Sequence, residues 1–418
     1  MSKTVSESWR TALIGEICNI AIGGTPSRSV SEYWDSTKSF GHPWVSIRDL
    51  RKPRIYETSE YITDSGIENS NVKLVKKGTV LMSFKLSVGR VAYADRDLYT
   101  NEAIAAFIPK SKNVIFNQFL YQGLQSWNLL ENIDQAVKGI TLNKEKINLI
   151  EALLPPLPEQ QKIATILSSV DDVIEKTHAQ IDKLKELKTG MMQELLTKGI
   201  GHTEFKDSPV GRIPVEWDAL LLDSVARRGS GHTPNKAKQE YWNGGIEWVS
   251  LSDSSKLDRL YITNTAKKIS KLGVENSSAV IHPSGTVVLS RDAGVGKSAI
   301  LTKDMAVSQH FMAWVCSKKL DKHFLYYVLQ LWKPKFEAIA IGSTIKTIGL
   351  PFFKKLQIPI PPLQEQERIA KALSSVDVKI FELEDKHTSI EAIKKALMQD
   401  LLTGKVRVNI DNKEAAAA

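Results

Sequence analysis

The sequence predicts an α+β chain built twice. Two similar globular domains are separated by two long helices that pair as an antiparallel coiled coil, giving internal pseudo-two-fold symmetry. Three observations carry this expectation. A near-identical segment occurs at two places, each copy continues into a heptad pattern, and a fainter repeat runs through the mixed sequence before each copy.

The strong repeat opens with Pro155-Pro156-Leu157-Pro158-Glu159-Gln160 and returns as Pro361-Pro362-Leu363-Gln364-Glu365-Gln366. It continues without a gap: Leu167-Ser168-Ser169-Val170-Asp171 matches Leu373-Ser374-Ser375-Val376-Asp377, and Leu195-Leu196-Thr197 matches Leu401-Leu402-Thr403. In steps of four and three, positions 163, 167, 170, 174, 177, 181, 184, 188, 191 and 195 read Ile, Leu, Val, Ile, Thr, Ile, Leu, Lys, Met, Leu. From Ile369 the second copy reads Ile, Leu, Val, Ile, Leu, His, Ile, Lys, Leu, Leu. Such a seam, with charged Lys183, Lys185 and Glu186 between its positions, favours supercoiled helices over an ordinary surface helix. The prolines suit a first helical turn, and Gly199 and Gly404 stand where a C-cap is expected. Each helix would be about 40 residues, or ~60 Å. Lys188 and Lys394 interrupt the seams at matching places, as residues that fix register do.

Residues 1–154 and 217–360 lack heptads and mix short β-branched runs with Gly-, Asn- and Pro-marked turns, which reads as α+β. The fainter repeat relates them. Gly24-Thr25-Pro26 answers to His232-Thr233-Pro234, and Tyr33-Trp34 to Tyr241-Trp242. Trp44-Val45-Ser46-Ile47-Arg48-Asp49 answers to Trp248-Val249-Ser250-Leu251-Ser252-Asp253. Gly78-Thr79-Val80 answers to Gly285-Thr286-Val287, Val88-Gly89-Arg90 to Val295-Gly296-Lys297, and Gly139-Ile140-Thr141 to Gly342-Ser343-Thr344. One frame with divergent loops is how a scaffold recognises two different things. The expected order is a recognition domain (1–154), a long helix (155–200), a linker (201–216), a second recognition domain (217–360), a second long helix (361–404) and a tail (405–418).

Composition bounds the function. The 418 residues suffice for two or three domains, and a formal charge of +9, from 56 basic against 47 acidic residues, leans towards a polyanionic partner. Cys18 and Cys316 are too far apart in sequence to suggest a disulfide framework or a zinc site. With no signal-like segment and no apolar run of membrane length, a cytoplasmic location is expected.

The duplicated order of Thr-Pro loop, Tyr-Trp, Trp-Val-Ser-x-x-Asp, Gly-Thr-Val, Val-Gly-Arg/Lys, Gly-x-Thr and Pro-Pro-Leu-x-Glu-Gln resembles the specificity (S) subunit of type I restriction–modification systems. The resemblance covers nearly the whole chain. It implies two target recognition domains, each reading one half of a bipartite double-stranded DNA sequence, and a helix pair that sets the unread spacer. It also implies two modification (adenine methyltransferase) subunits using S-adenosylmethionine, and two restriction subunits that translocate and cut DNA with ATP and Mg. No cofactor is expected in this chain. A methylation-only complex and a coiled-coil protein adaptor are the alternatives. Where the family often has Asn-Gln after the Gly-Arg/Lys loop, this chain has Asn101-Glu102 and Ser308-Gln309.

Catalytic motifs do not assemble. Asp292-Ala293-Gly294-Val295-Gly296-Lys297-Ser298 resembles a phosphate loop, but Arg291 stands where the first glycine is needed, and a tight turn presenting a basic residue is the better reading. Leu154-Pro155-Pro156-Leu157 and Ile360-Pro361-Pro362-Leu363 lack the acid or amide and the aromatic of an adenine methyltransferase motif. The histidines show no metal-ligand spacing, so neither a catalytic nor a metal residue is assigned.

For DNA, Arg and Lys would supply phosphate contacts while a few side chains read base edges. The matched loops offer Thr25, Ser27, Arg28, Ser46, Arg48, Lys85, Arg90, Thr141 and Lys144 in the first domain. In the second they offer His232, Asn235, Ser250, Asp253, Arg291, Lys297, Thr344 and Lys346. The pairs Tyr33-Trp34 and Tyr241-Trp242 are expected in the core rather than stacked on bases.

Overall fold

A computed structural model describes residues 8–129, 142–343 and 345–410. The chain divides into two compact units: unit 1 comprises 1–177 and 386–418, and unit 2 comprises 178–385. The first long helix, Leu157–Lys198, starts in unit 1 and ends in unit 2, while the second, Leu363–Leu401, does the reverse. Each unit therefore holds one globular part, the N-terminal half of the helix that follows it, and the C-terminal half of the other helix.

The seam explains that exchange. All ten heptad positions in each helix are buried or half-buried, while Lys183, Lys185 and Glu186 are exposed. In unit 1, Ile163, Ala164 and Leu167 share a core with Leu401 and Leu402, and further along Asp171 faces Lys394. In unit 2, Leu196 and Met192 share a core with Ile369 and Leu373, and Lys188 faces Asp377. Numbers rise along one helix as they fall along the other, so the pairing within each unit is antiparallel. Gly199 and Gly404 both take left-handed conformations, φ 70° and 72°, where the chain leaves its helix. A side chain at Gly199 would also meet Glu365 and Trp217 within 2.7 Å.

The repeated Glu-Gln explains how helix and globular part lock together. Gln160 Oε1 accepts from Phe116 N at 2.9 Å, and its Nε2 donates to the carbonyls of Val114 and Pro155 at 3.0 Å. Gln366 does the same with Asp321 N (2.9 Å), Lys319 O (3.0 Å) and Pro361 O (2.9 Å). The neighbouring glutamates each accept from an indole at 3.0 Å: Glu159 from Trp9, and Glu365 from Trp217. Their second partners differ, being Arg407 for Glu159 and His202 for Glu365.

Unit 1 carries a five-stranded sheet ordered Cys18–Ile22, Ile104–Pro109, Val80–Ser83, Val91–Ala94 and Arg54–Ile55. In unit 2 the order is Ala226–Ser230, Phe311–Cys316, Val287–Ser290, Ser298–Leu301 and Tyr261–Ile262. The central strands are buried on both faces and alternate between two cores. Val80 and Met82 pack with Trp9, Phe119 and the long-helix residues, while Leu81 packs with Val45, Ile55 and Leu98. Val287 and Leu289 face Trp314, Phe324 and the helices, and Val288 faces Val249 and Val307. The outer core leads to a smaller sheet: Glu60–Ile62, His42–Val45 and Tyr99–Thr100 in unit 1. Its counterpart in unit 2 contains Lys268–Ile269, Trp242–Val249, Met305–Val307 and Ile281–His282. Matching turns reproduce their backbone: Gly78 and Gly285 share φ 85°, Gly89 and Gly296 have 88° and 84°, and Leu86 and Ala293 are both left-handed at 62° and 44°.

Both cysteines are free. Burial pushes the thiols of Cys18 and Cys316 up to about 12, so neither carries thiolate at neutral pH. No helix among the described residues is long and apolar enough to cross a membrane.

Candidate nucleic-acid interface

Two tryptophans shape the Thr-Pro loop in each unit. Trp44 Nε1 donates to Gly24 O at 2.9 Å and Trp34 Nε1 to Ser27 O at 3.1 Å. Trp248 donates to His232 O at 3.0 Å and Trp242 to Asn235 O at 3.2 Å. The rings meet edge to face with centroids 5.1 Å apart in unit 1 and 5.2 Å in unit 2. Trp34 and Trp242 are half-buried, as are the loop threonines, so the aromatic pairs hold the loop from below. Thr25 then donates to Glu102 Oε2, and Thr233 to Gln309 Oε1 at 2.6 Å. Asn101-Glu102 and Ser308-Gln309 thus occupy equivalent places. The Thr25 hydrogen bond holds the Glu102 carboxyl below its ordinary value, against the opposing effect of burial.

The Trp-Val-Ser-x-x-Asp motif closes a turn. Ser46 N and Oγ both donate to Asp49 Oδ2 at 2.8 Å. Ser250 N and Oγ reach Asp253 Oδ2 at 3.1 and 3.3 Å. Asp253 is wholly buried, and its other oxygen accepts from Ala266 N at 2.7 Å. Ser46, Ser250 and Asp253, offered by the sequence as DNA-binding candidates, make these hydrogen bonds inside the turn.

Several basic candidates are likewise engaged. Arg28 pairs with Glu60, and Arg48 Nη2 reaches the same carboxylate at 3.1 Å. Lys297, in the tight turn that the sequence suggested, donates from Nζ to Ser254 O and Oγ at 3.1 Å. That turn joins strands Val287–Ser290 and Ser298–Leu301 rather than leading into a helix, and so supplies no helix N-terminus for a phosphate. Arg291 is half-buried, with Nε 3.5 Å from Asp292 Oδ1. Ser27 bonds Ser29 at 2.8 Å, and Asn235 Oδ1 accepts from Ala237 N at 3.0 Å within its own loop.

Lys85, Arg90, Lys144, His232 and Lys346 make no side-chain hydrogen bond or ion pair with another described residue. Lys144, His232 and Lys346 are exposed, and Lys85 and Arg90 half-exposed. Lys144 opens the short helix Lys144–Asn148, capped by Asn143. Thr141 and Thr344 lie outside the described residues.

The structure adds Glu60, Glu102, Lys236, Lys267 and Gln309 to the candidates. Lys236 was legible as the residue three after Thr233, matching Arg28 after Thr25. Glu60 and Lys267 were not, because they face their tryptophans across a strand pair whose register the motifs do not contain.

Two copies of one sheet frame, each presenting a threonine loop on a tryptophan pair with its own polar groups, define a chain with two related recognition units. The family model described as type I restriction modification DNA specificity domain matches residues 6–186 and 214–395. A putative MjaX specificity subunit of a type I restriction enzyme from Methanocaldococcus jannaschii is 27% identical, over 97% of this chain and 95% of its own length. The MjaIX specificity subunit of the same organism is 30% identical over the same shares. A crystal structure of a type I restriction–modification S subunit from M. genitalium shares the fold, with TM-score 0.63, 14% identity, and coverage of 96% of this chain and 99% of that one. The chain belongs to the type I restriction–modification DNA specificity family, and it is a DNA-recognition subunit rather than a catalytic one.

Proposed function

We propose that each unit reads one half of a bipartite DNA target, and that the helix pair sets the unread spacer and docks two modification subunits that methylate adenine with S-adenosylmethionine. Two restriction subunits, using ATP and Mg, would act on the same complex. The observation that carries this reading is a duplicated frame with unlike polar groups at equivalent places. Glu102 in unit 1 stands where Gln309 stands in unit 2, each accepting from its loop threonine. A carboxylate suits the amino group of cytosine and an amide suits adenine, so unlike residues on one frame support unlike half-sites.

The test is single-molecule methylome sequencing of a methylation-free host expressing this chain with its modification subunit. A new split motif, methylated in both halves and lost when this chain is omitted, is the expected result. A folded, co-purifying complex that produces no split motif would overturn the proposal.

A further inference from the structure

The two tryptophan pairs face opposite electrostatic situations. In unit 1 the Arg28 guanidinium lies 3.9 Å from the Trp34 ring centroid and pairs with Glu60, the residue directly across the strand pair from Trp44. The cation at this place has its counter-ion built in. In unit 2, Lys236 replaces Arg28, and the residue across from Trp248 is Lys267, whose carbonyl accepts from Trp248 N at 3.3 Å. The carboxylate has become a second ammonium.

Neither lysine makes a side-chain hydrogen bond or ion pair with another described residue. Both line an open cleft of about 280 Å³ that Trp242, Gln309 and His310 also line, with no carboxylate among its lining residues. The His310 ring is held from behind by Asp292, whose Oδ2 lies 2.7 Å from Nδ1. Ser308 also lines the cleft; it is wholly buried, and its hydroxyl has no hydrogen-bond partner. A buried hydroxyl without a partner marks an unmet hydrogen bond, and the two exposed lysines beside it carry like charges without a counter-ion. The group that satisfies them together is an anion with several acceptor oxygens.

We propose that this cleft is a phosphate subsite, in which Lys236 and Lys267 grip one backbone phosphate of the DNA and the Ser308 hydroxyl offers a hydrogen bond beside it. Unit 1 has no equivalent subsite, because Arg28 and Glu60 satisfy each other there. The proposal rests on the DNA-recognition reading and assigns to unit 2 a contact that unit 1 lacks.

The experiment uses the full chain assembled with its modification subunit and a duplex carrying the motif found by methylome sequencing. Binding is followed by fluorescence anisotropy from 50 to 200 mM salt, with wild type compared with Lys236→Ala and Lys267→Glu. Each variant should lower the slope of log affinity against log salt by about one, as loss of a single phosphate contact does. Lys267→Glu, which recreates the unit 1 pairing beside Lys236, should weaken binding roughly tenfold at the middle of that range.

A second measurement fixes the place. Methylphosphonates are substituted one at a time along the duplex. One position within a single half-site should weaken wild-type binding and leave the Lys236→Ala/Lys267→Ala variant unaffected. Variants that melt with wild type and keep its affinity, slope and methylphosphonate profile would overturn the subsite while leaving DNA recognition intact. A wild-type complex that binds no such duplex would remove the recognition reading and the subsite together.

Discussion

Lys188 Nζ lies 2.6 Å from Asp377 Oδ1, joining the two long helices inside unit 2. The repeat reproduces the contact in unit 1, where Lys394 Nζ is 2.7 Å from Asp171 Oδ1. The lysines that interrupt the hydrophobic seams thus meet the aspartates that end the Leu-Ser-Ser-Val-Asp segments. Each aspartate also holds its globular part: Asp377 accepts from Tyr327 Oη and Asp171 from Gln122 Nε2, both at 2.7 Å. One ion pair therefore couples helix register to domain placement within each unit.

The two pairs should not contribute equally. The Lys188 and Asp377 side chains are 17% and 5% exposed, whereas Lys394 and Asp171 are 16% and 24% exposed. Removing one partner of a buried pair leaves a desolvated charge, which costs about 3–5 kcal/mol, and water relieves that cost where it can reach. Lys188→Met is expected to destabilise by roughly 3 kcal/mol and Lys394→Met by about half as much. Urea denaturation of the two variants checks the order, and equal losses would contradict it.

Much of this architecture was legible in the sequence because period and repetition are local properties. The heptads marked both helices, the matched lysines marked their register, and the paired motifs marked a common frame. Partner choice was less legible, because it depends on strand register and turn closure. Ser250 and Asp253 read as polar loop residues until the turn between them brought Asp253 to complete burial. Arg28 and Lys236 look interchangeable in sequence, and only the residue opposite each tryptophan, Glu60 or Lys267, separates them.

Gln366 is the clearest case of a motif residue used for assembly. It is fully buried, and all three of its hydrogen bonds go to backbone groups, two before the helix Lys322–Leu331 and one at the start of the long helix. Gln366→Ala strands those groups and should cost about 3 kcal/mol. Gln366→Glu should be worse at neutral pH, since a carboxylate would face the carbonyls of Lys319 and Pro361. Thermal unfolding of both variants decides this. Gln160→Ala, in the matching position of unit 1, should behave as Gln366→Ala does.

Acid stability should depend on Glu247. Burial alone would raise its carboxyl, but hydrogen bonds from Thr265 and the ammonium groups of Lys303 and Lys268 hold it at about 2, against an ordinary 4.5. A carboxyl depressed in the folded state binds fewer protons there than in the unfolded chain. Its stabilisation is complete above 4.5 and is lost as pH falls through about 2. Glu247→Gln should therefore lower stability at neutral pH and flatten its decline between pH 4.5 and 2. Denaturation midpoints across that window test this, and parallel curves for variant and wild type would count against it.

The spacer reading requires lengthening the helices without disturbing their ends. Four residues after Leu196 would suit a simple ruler, but Leu196 is in the unit 2 core, and Glu365 just across from it holds Ile200 N, His202 and Trp217. An insertion there would displace all three. A full heptad placed in both helices, after Thr177 in the first and after Asp385 in the second, preserves the 3.5-residue seam and leaves both glutamate clusters in place. Seven residues add about 10 Å of helix, close to three base pairs at 3.4 Å each. Methylome sequencing should then show the same two half-sites separated by about three more base pairs. Insertion in one helix alone shifts the seam by a heptad, carries Lys188 away from Asp377 or Lys394 away from Asp171, and should abolish methylation. An unchanged spacer in the double insertion, with methylation intact, would mean that the helices do not set the distance.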